Sequence, residues 1–507
     1  MKRVSNDTGL HFRLYKKSLD ARHKNEILQV CTVLVRFDEP RTLKKELLDG
    51  IGARPFSQAE PEIVHGDTRL ASRPLVVGMG PAGLFAALLL AEQGYRPILI
   101  DRGDDVETRA ARCERFRTGG ALDTESNIQF GAGGAGTFSD GKLVTRVNDP
   151  LCNYVLARLC EFGAPEEITV RAKPHVGTDI LRRVVDHILG EIIRLGGEVH
   201  YRTRLDDFRT SGDGVEVVTS KGSFLAGALV LAIGHSARDT FDMLMQKPLL
   251  LEPKPFSVGV RIEHLREDID RALWGDHAGD PRLGAAEYSL SDTSGERGVY
   301  TFCMCPGGEV VTAASEEDGV VVNGMSYHAR DGRNSNAAVA VSVNPADVGG
   351  NVRASIAFQR ELEHAAFVAG GSDYSAPVQT VGDFLNGTNK TAPTRVQPTY
   401  GGGRVRTADL HSVLPRFVSD TLAAGLASFD KKLPGYAAPD AVLTGVESRT
   451  SSPLRILRTK DHTALGADLV YPTGEGAGYA GGITSAALDG LKTAISLMAR
   501  FAPPENQ

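Results

Sequence analysis

The order of hydrophobic and polar positions changes character several times along this 507-residue chain. Within residues 1–70, "LHFRLY" (10–15) and "VCTVLVRF" (30–37) show the two-residue alternation of strands. Between them and a linker, "FSQAEPEIVHGDTRLASRP" (56–74), the segment "TLKKELLDG" (42–50) predicts a short helix with a threonine cap and a glycine stop. From Pro74 the pattern is different. "PLVVGMGPAGLFAALLLAEQGYRPILIDRG" (74–103) predicts strand, tight glycine turn, buried helix and strand in succession. "GTDILRRVVDHILGEIIRLGG" (177–197) has the 3.6-residue period of an amphipathic helix. Strand patterns follow at "EVHYRTRLDDFR", "GVEVVTS" and "ALVLAIGHSA" (228–237). From about 248 to 440 strand-like and loop-like pieces dominate, with no second strand–glycine–helix unit. Near the end, an apolar "ADLVY" runs into "PTGEGAGYAGG" and a helix beginning near Ile483.

The glycines in two of these places carry chemistry. Gly78, Gly80 and Gly83 form G-x-G-x-x-G between an apolar strand and an apolar helix. In that context Gly78 permits the turn, Gly80 lets backbone approach a pyrophosphate, and Gly83 allows helix-to-strand packing. The helix N-terminus at Pro81 and Ala82 presents N–H groups and a positive dipole to the phosphates. Asp101, at the end of the next strand, is placed for ribose hydroxyls, with Arg102 beside it. These residues predict a dinucleotide site.

The second glycine turn selects FAD rather than NAD. A chain that holds FAD through its first βαβ unit must also hold the ribityl chain and ring system farther away. The turn containing Gly474, Glu475, Gly481 and Gly482 before Ile483 suits that task. Glu475 can accept from ribityl or pyrophosphate-side hydroxyls, and N–H groups at Gly481–Ile483 can face the flavin N1/O2 edge. "FGAGGAGTFSDGKL" (130–143) supplies Gly131, Gly133, Gly134 and Gly136 ahead of Ser139 and Lys142. Such a segment can lie flat on a ring, with Ser139 and Lys142 bonding flavin carbonyls. Leu205 and Gly234 complete the expected cofactor contacts.

Candidates for the chemistry itself are less distinctive. Lys142 can stabilise a reduced flavin, and His175 in "KPHVGTD" can donate a proton, ahead of a helix capped by Thr178. Cys303 and Cys305 fall on one face of a strand; Cys305 is the catalytic candidate of the pair, against packing beneath the Pro306-Gly307-Gly308 turn. Arg449 and Arg455 suit an acidic substrate or phosphates, or ordinary ion pairs. No cysteine and histidine spacing predicts a metal site.

Composition narrows the setting. Hydrophobic residues make up 41% and charged residues 24%, with a net charge of −6 that gives no general attraction to nucleic acid or anionic membrane. The longest apolar run, "LFAALLLA" (84–91), is too short to span a bilayer, and "MKRVSNDTGLHFRLYKK" has no apolar core of a signal peptide. Six scattered cysteines suit reduced thiols, so a cytoplasmic protein is expected. The N-terminal unit is locally basic, with "RLYKKSLDARHK" at 13–24.

Several of these motifs together resemble a bacterial family of FAD-dependent dehydrogenases within the glutathione-reductase-type FAD superfamily. They include "KKSLDAR" (16–22), "FGAGGAGTFSDGKL", "KPHVGTDILRRVV" (173–185), "KPFSVGVRIEH" (254–264), "YTFCMCPGGEVV" (300–311), "NGMSYHAR" (323–330) and "SRTSSPLRI" (448–456). More distant similarity runs to geranylgeranyl reductases and to flavin halogenase-like or hydroxylase-like enzymes. The wider superfamily usually has Glu at the position of Asp101 and Asp at that of Glu475. The resemblance implies an α/β fold: a Rossmann-like FAD-binding domain in two parts, 71–247 and 441–507, with a mixed-sheet substrate domain at 248–440 inserted and a small α+β domain at 1–70. The expected function is hydride transfer between flavin N5 and a small organic substrate, with transient NAD(P)H or another electron carrier as a compatible partner. The rivals are a flavin monooxygenase and a flavin-containing binding protein that docks RNA or a partner through its basic N-terminal unit.

Overall fold

A computed structural model describes residues 9–39, 42–212 and 214–505, so residues 1–8 of the N-terminal unit lie outside the described residues. A five-stranded parallel sheet organises the cofactor half. Its order is Val470–Pro472, Leu229–Leu231, Leu75–Val77, Ile98–Ile100 and Glu198–His200. The three middle strands are fully apolar and buried, as a parallel sheet covered on both faces requires. The two glycine turns thus leave neighbouring regions of one sheet, although about 400 residues separate them.

Helices Pro81–Glu92 and Ile483–Arg500 start at those turns and pack together against the sheet. Every residue from Ala82 to Ala91 is buried, which explains why the first helix has no polar face. The contact is close at Gly490, where a Cβ would collide with the Ala82 carbonyl. Helix Thr178–Arg194 covers the same side with Ile180, Leu181, Val184, Ile188 and Ile192. A three-stranded antiparallel sheet, Leu205–Ser211, Gly214–Thr219 and Gly222–Ala226, lies on the other side.

The remaining large element is a seven-stranded mixed sheet. Its long central strands, Phe256–Leu265 and Asn334–Val343, are antiparallel and buried on both faces. Val299–Cys305 flanks one of them and Val442–Glu447 the other. Val442–Glu447 hydrogen-bonds to Phe256–Leu265, so this sheet takes chain from beyond residue 440, and the return to the cofactor half comes after Glu447. The N-terminal hairpin Leu10–Asp20 with Leu28–Phe37 stands as its own two-stranded sheet. The short helix that follows it is Lys45–Ile51. It has no side-chain cap, and it ends at left-handed Gly52 rather than Gly50, so the expected Thr42 cap is not formed. No described helix is long and apolar enough to cross a membrane.

Candidate functional site

One cavity of about 320 Å³ runs from the fingerprint turn to the seven-stranded sheet. At its first end are Gly78, Gly80, Pro81, Ala82, Asp101, Arg102 and Leu205. Asp101 accepts hydrogen bonds from the N–H groups of Met79 (2.8 Å) and Gly103 (2.9 Å), tying its own strand end to the turn. Arg102 is held by Glu125 (2.9 Å) and Asp239 (2.7 Å) and lies over the Phe130 ring.

The loop 127–134 folds over this turn. The Gly133 N–H donates to the Met79 carbonyl (2.8 Å), and a Cβ on Gly134 would sit 2.8 Å from Gly80 Cα. Sequence reasoning missed what holds the loop. Fully buried Arg109 donates to the carbonyls of Asn127 (2.8 Å), Ile128 (2.7 Å), Gly131 (3.3 Å), Ala132 (2.6 Å) and Gly134 (3.0 Å). Burial pulls its pKa down to about 10. Its signal was absent from the motif because an arginine bonding only carbonyls has no partner residue type to pair with.

Not every predicted glycine faces the cavity. Gly134, Ser139, Gly234, Gly481, Gly482, Glu475 and Ile483 line it; Gly83, Gly131, Gly133 and Gly474 do not. A Cβ on Gly83 would strike the Gly78 carbonyl, one on Gly133 the Thr137 hydroxyl, one on Gly131 Arg109, and one on Gly474 Ala82. These four are glycines because protein packs on them. By contrast, a Cβ on Gly234, Gly481 or Gly482 would meet no protein atom within 4 Å.

The far end is built from side chains of many segments. Ser139, Asp140 and Lys142 come from the loop, Phe302 and Cys303 from Val299–Cys305, and Asn323, Glu447 and Arg449 from elsewhere in the seven-stranded half. The cavity reaches solvent near exposed Val144, Phe302, Gly481 and Gly482. Ser139 is already engaged with the Gly136 carbonyl (2.7 Å). Lys142 bonds Asp140 (2.9 Å) and Glu287 (3.2 Å); burial pulls its pKa down, but the two carboxylates outweigh that and raise it. Asp140 also binds Arg330 (2.9 Å). Arg449 grips Glu363 (2.7 Å), which Arg238 also holds (2.7 Å). Arg261 pairs with Glu447 (2.9 Å). Each cation therefore has its carboxylate, and the far end carries little unbalanced charge. Arg455 does not reach the cavity and lies beside Glu252 (3.4 Å), so neither arginine of "SRTSSPLRI" offers a free charge to an acidic substrate.

Two of the three catalytic candidates are displaced. His175 does not line the cavity; its Nε2 contacts the His328 carbonyl (3.1 Å) and its ring stacks on His328. Burial, with Arg330 nearby, pulls its pKa down to about 4, which leaves a neutral imidazole whose Nε2–H is taken up by the His328 carbonyl. Thr178, expected as a helix cap, instead donates to the Thr137 carbonyl (2.5 Å), and Gly177 precedes the helix. Cys305 is fully buried behind the cavity wall, while its neighbour Cys303 lines it. His235, which sequence reasoning overlooked, also lines the cavity, and burial beside Arg449 pulls its pKa down to about 4. Burial pushes the Glu475 carboxyl up to about 7, against the attraction of Lys254. Among the described residues no group of His, Cys, Asp or Glu could hold a metal.

A βαβ glycine turn, a second glycine turn before a buried helix and an elongated cavity between them define a dinucleotide-type cofactor protein of mixed α/β fold. The comparisons name the cofactor. Residues 255–450 match the family described as FAD-dependent protein, C-terminal domain-like. A protein of Clostridium beijerinckii that bears the name "Uncharacterized protein" is 46% identical over 497 residues, 97% of this chain and 93% of its own length. The chain belongs to that protein's family, and FAD is its cofactor. Aklavinone 12-hydroxylase DnrF of Streptomyces peucetius is 32% identical over 149 residues, 28% of this chain and 30% of that enzyme. Among solved structures, halogenase PltM aligns over 84% of this chain and 67% of its own, with 12% identity and a TM-score of 0.38. The cavity fits FAD: the uncrowded glycines Gly234, Gly481 and Gly482, the two helix N-termini and Asp101 are where an extended dinucleotide needs backbone access, N–H donors and a ribose acceptor.

Proposed function

We propose that this protein is an FAD-dependent oxidoreductase that transfers a hydride between flavin N5 and a small organic substrate. The observation that carries this reading is the far end of the cavity, where Lys142, Cys303, Asn323 and Glu447 converge within one wall-to-wall space that opens beside Phe302 and Val144. When bound, FAD supplies the hydride acceptor or donor. The chain's contribution is to place substrate, exclude water and manage protons. The first turn of helix Ile483–Arg500 offers N–H groups with no intrahelical partner, suited to a negative ring edge. Because Arg261, Lys142 and Arg449 are each neutralised in place, the site suits a polar substrate without net charge.

On this reading the fold is of the glutathione-reductase type, residues 71–247 and the chain after Glu447 hold the cofactor, and the seven-stranded half faces the substrate. A nicotinamide would visit only transiently. We place the protein in the cytoplasm.

An anaerobic titration of the purified yellow protein with NADPH and NADH tests the reading. Bleaching with one of them, and no uncoupled oxygen uptake on readmitting air, is the expected result. A second reading, monooxygenase, is favoured by the stretch shared with aklavinone 12-hydroxylase DnrF. Rapid oxygen consumption with incorporation of one ¹⁸O atom into product would select it instead. A protein that cannot be loaded with FAD would sink both.

A further inference from the structure

The wall of the far end contains a backbone irregularity with a chemical consequence. Strand Val299–Cys305 pairs Phe302 with Ala338 and then Cys305 with Asn336, so three steps on one side match two on the other. The extra residue is accommodated at Cys303, whose φ is +45, a left-handed conformation disfavoured for any side chain but glycine's hydrogen. Bulges of this kind re-aim side chains. Here regular alternation would send Phe302 and Cys303 to opposite faces, whereas both line the cavity.

The surroundings of the Cys303 sulfur are built in layers. Behind it lies Cys305, buried, with its Sγ 3.3 Å from the Cys303 carbonyl and within hydrogen-bonding reach of the Cys303 sulfur. Arg261 Nη1 donates to the same carbonyl (3.1 Å) and approaches Cys305 Sγ (3.8 Å). Arg261 is itself fixed by Glu447, Asn336 (2.6 Å) and Asn323 (3.2 Å). The charged groups acting on Cys303 are Arg261 and Lys142, which favour a thiolate, and Glu447, which opposes it; Glu475 faces it across the cavity. The Cys305 hydrogen bond is the largest influence and the thiol of Cys303 is brought down to about 6.

We propose that Cys303 is a catalytic thiolate of the flavin site, which takes the proton from a substrate O–H or N–H while the adjacent C–H gives up its hydride. This rests on the hydride-transfer reading above. With FAD bound as the two-electron acceptor, a substrate that gives up a hydride would pass one proton to the Cys303 sulfur as its C–O or C–N single bond becomes double, and the thiol would release that proton to water. Cys305 and Arg261 are positioning residues that keep the sulfur ionised. The substrate class is an uncharged alcohol or a neutral N–H compound, in keeping with the balanced charges of the wall.

Alkylation of the FAD-loaded protein by iodoacetamide across pH 4–10, resolved by peptide mass spectrometry, tests this without a substrate. Cys303 should reach half-maximal reactivity near pH 6. Cys305→Ala should move that midpoint upward by a unit or more, and Cys305→Ser, which retains a donor, should restore most of it. A long-wavelength absorbance of the yellow protein should rise with the same midpoint and vanish in Cys303→Ser. Cys303→Gly provides a second variant that accepts the left-handed backbone and should keep FAD while losing the band. Ordinary thiol reactivity near pH 9, or an absorbance indifferent to Cys303, would overturn the thiolate while leaving hydride transfer intact. A low midpoint in a protein whose flavin no nicotinamide and no alcohol reduces would instead remove the role along with the hydride reading.

Discussion

The two ends of the cavity are made of different material. The fingerprint end is backbone: glycine turns, helix N-termini and carbonyls gripped by Arg109. The far end is side chain, with a thiol, an amide and two neutralised cations drawn from four distant segments. Where protein packs on it, as at Gly83, the backbone tolerates almost no added atom, whereas a charge-balanced wall tolerates change as long as its partners change together. The comparison shows that a cofactor common to many proteins can be held by main chain, while chemistry particular to one protein is left to side chains.

The largest effect should come from adding an atom where protein packs. Gly83→Ala places a Cβ against the Gly78 carbonyl and should abolish the soluble fold, a loss of about 4 kcal/mol or more. A well-expressed Gly83→Ala protein with native circular dichroism would break the distinction between packing glycines and cavity glycines. Next, Arg109→Met takes a donor from five carbonyls, of which only those of Gly131 and Gly134 keep a backbone N–H, and should lower stability by about 3–5 kcal/mol in urea denaturation. Smaller for the fold but not for the cofactor, Gly481→Val should leave the melting temperature of the FAD-free protein almost unchanged and weaken FAD binding at least tenfold, about 1.4 kcal/mol. Isothermal titration with FAD would show it, and equal affinities would place the cofactor elsewhere.

The smallest effects are in pH dependence, and they separate the two signs of burial. His175 and His235 are held neutral with pKa values pulled from 6.5 to about 4, so the stability they report is present above pH 6.5 and is lost as pH falls toward 4. Glu475 runs the other way. Its pKa rises from 4.5 to about 7, so its stability is fully present below pH 4.5 and is lost as pH climbs through 7. Melting curves of the FAD-free protein should therefore show Glu475→Gln gaining on the parent as pH rises from 4.5 to 7 and holding that gain above it, with no gain at pH 4. A gain that is equal at both would mean that Glu475 is not buried as a carboxyl.

Much of the first end was legible because its residues are contiguous. A glycine pattern between two apolar runs fixes a turn, a helix start and a strand end within thirty residues, and local geometry leaves little else for it to do. The terminal helix was legible for the same reason. The roles of individual glycines were not: Gly133 and Gly134 are adjacent and both pack on protein, against Thr137 and Gly80, yet only Gly134 also lines the cavity. That Cys303 and Cys305 face different ways was not legible, because spacing on a regular strand puts both thiols on one face and a bulge cannot be seen in alternation. His175 sits in a motif as specific as any in the chain, yet its ring turns to His328.

The sequence by itself determined what is encoded locally: the α/β alternation, the two glycine turns with their helices, and with them the class of cofactor. The tertiary structure decided what depends on partners hundreds of residues apart. It put Cys303 rather than Cys305 on the cavity wall, gave Arg109 its carbonyls, neutralised Arg449 with Glu363, and set the pKa values of His175 and Glu475. The physical reason is range. Backbone conformation is governed by residues a few positions away, while burial, charge compensation and the direction of a side chain are set by whichever distant segment the fold brings against it.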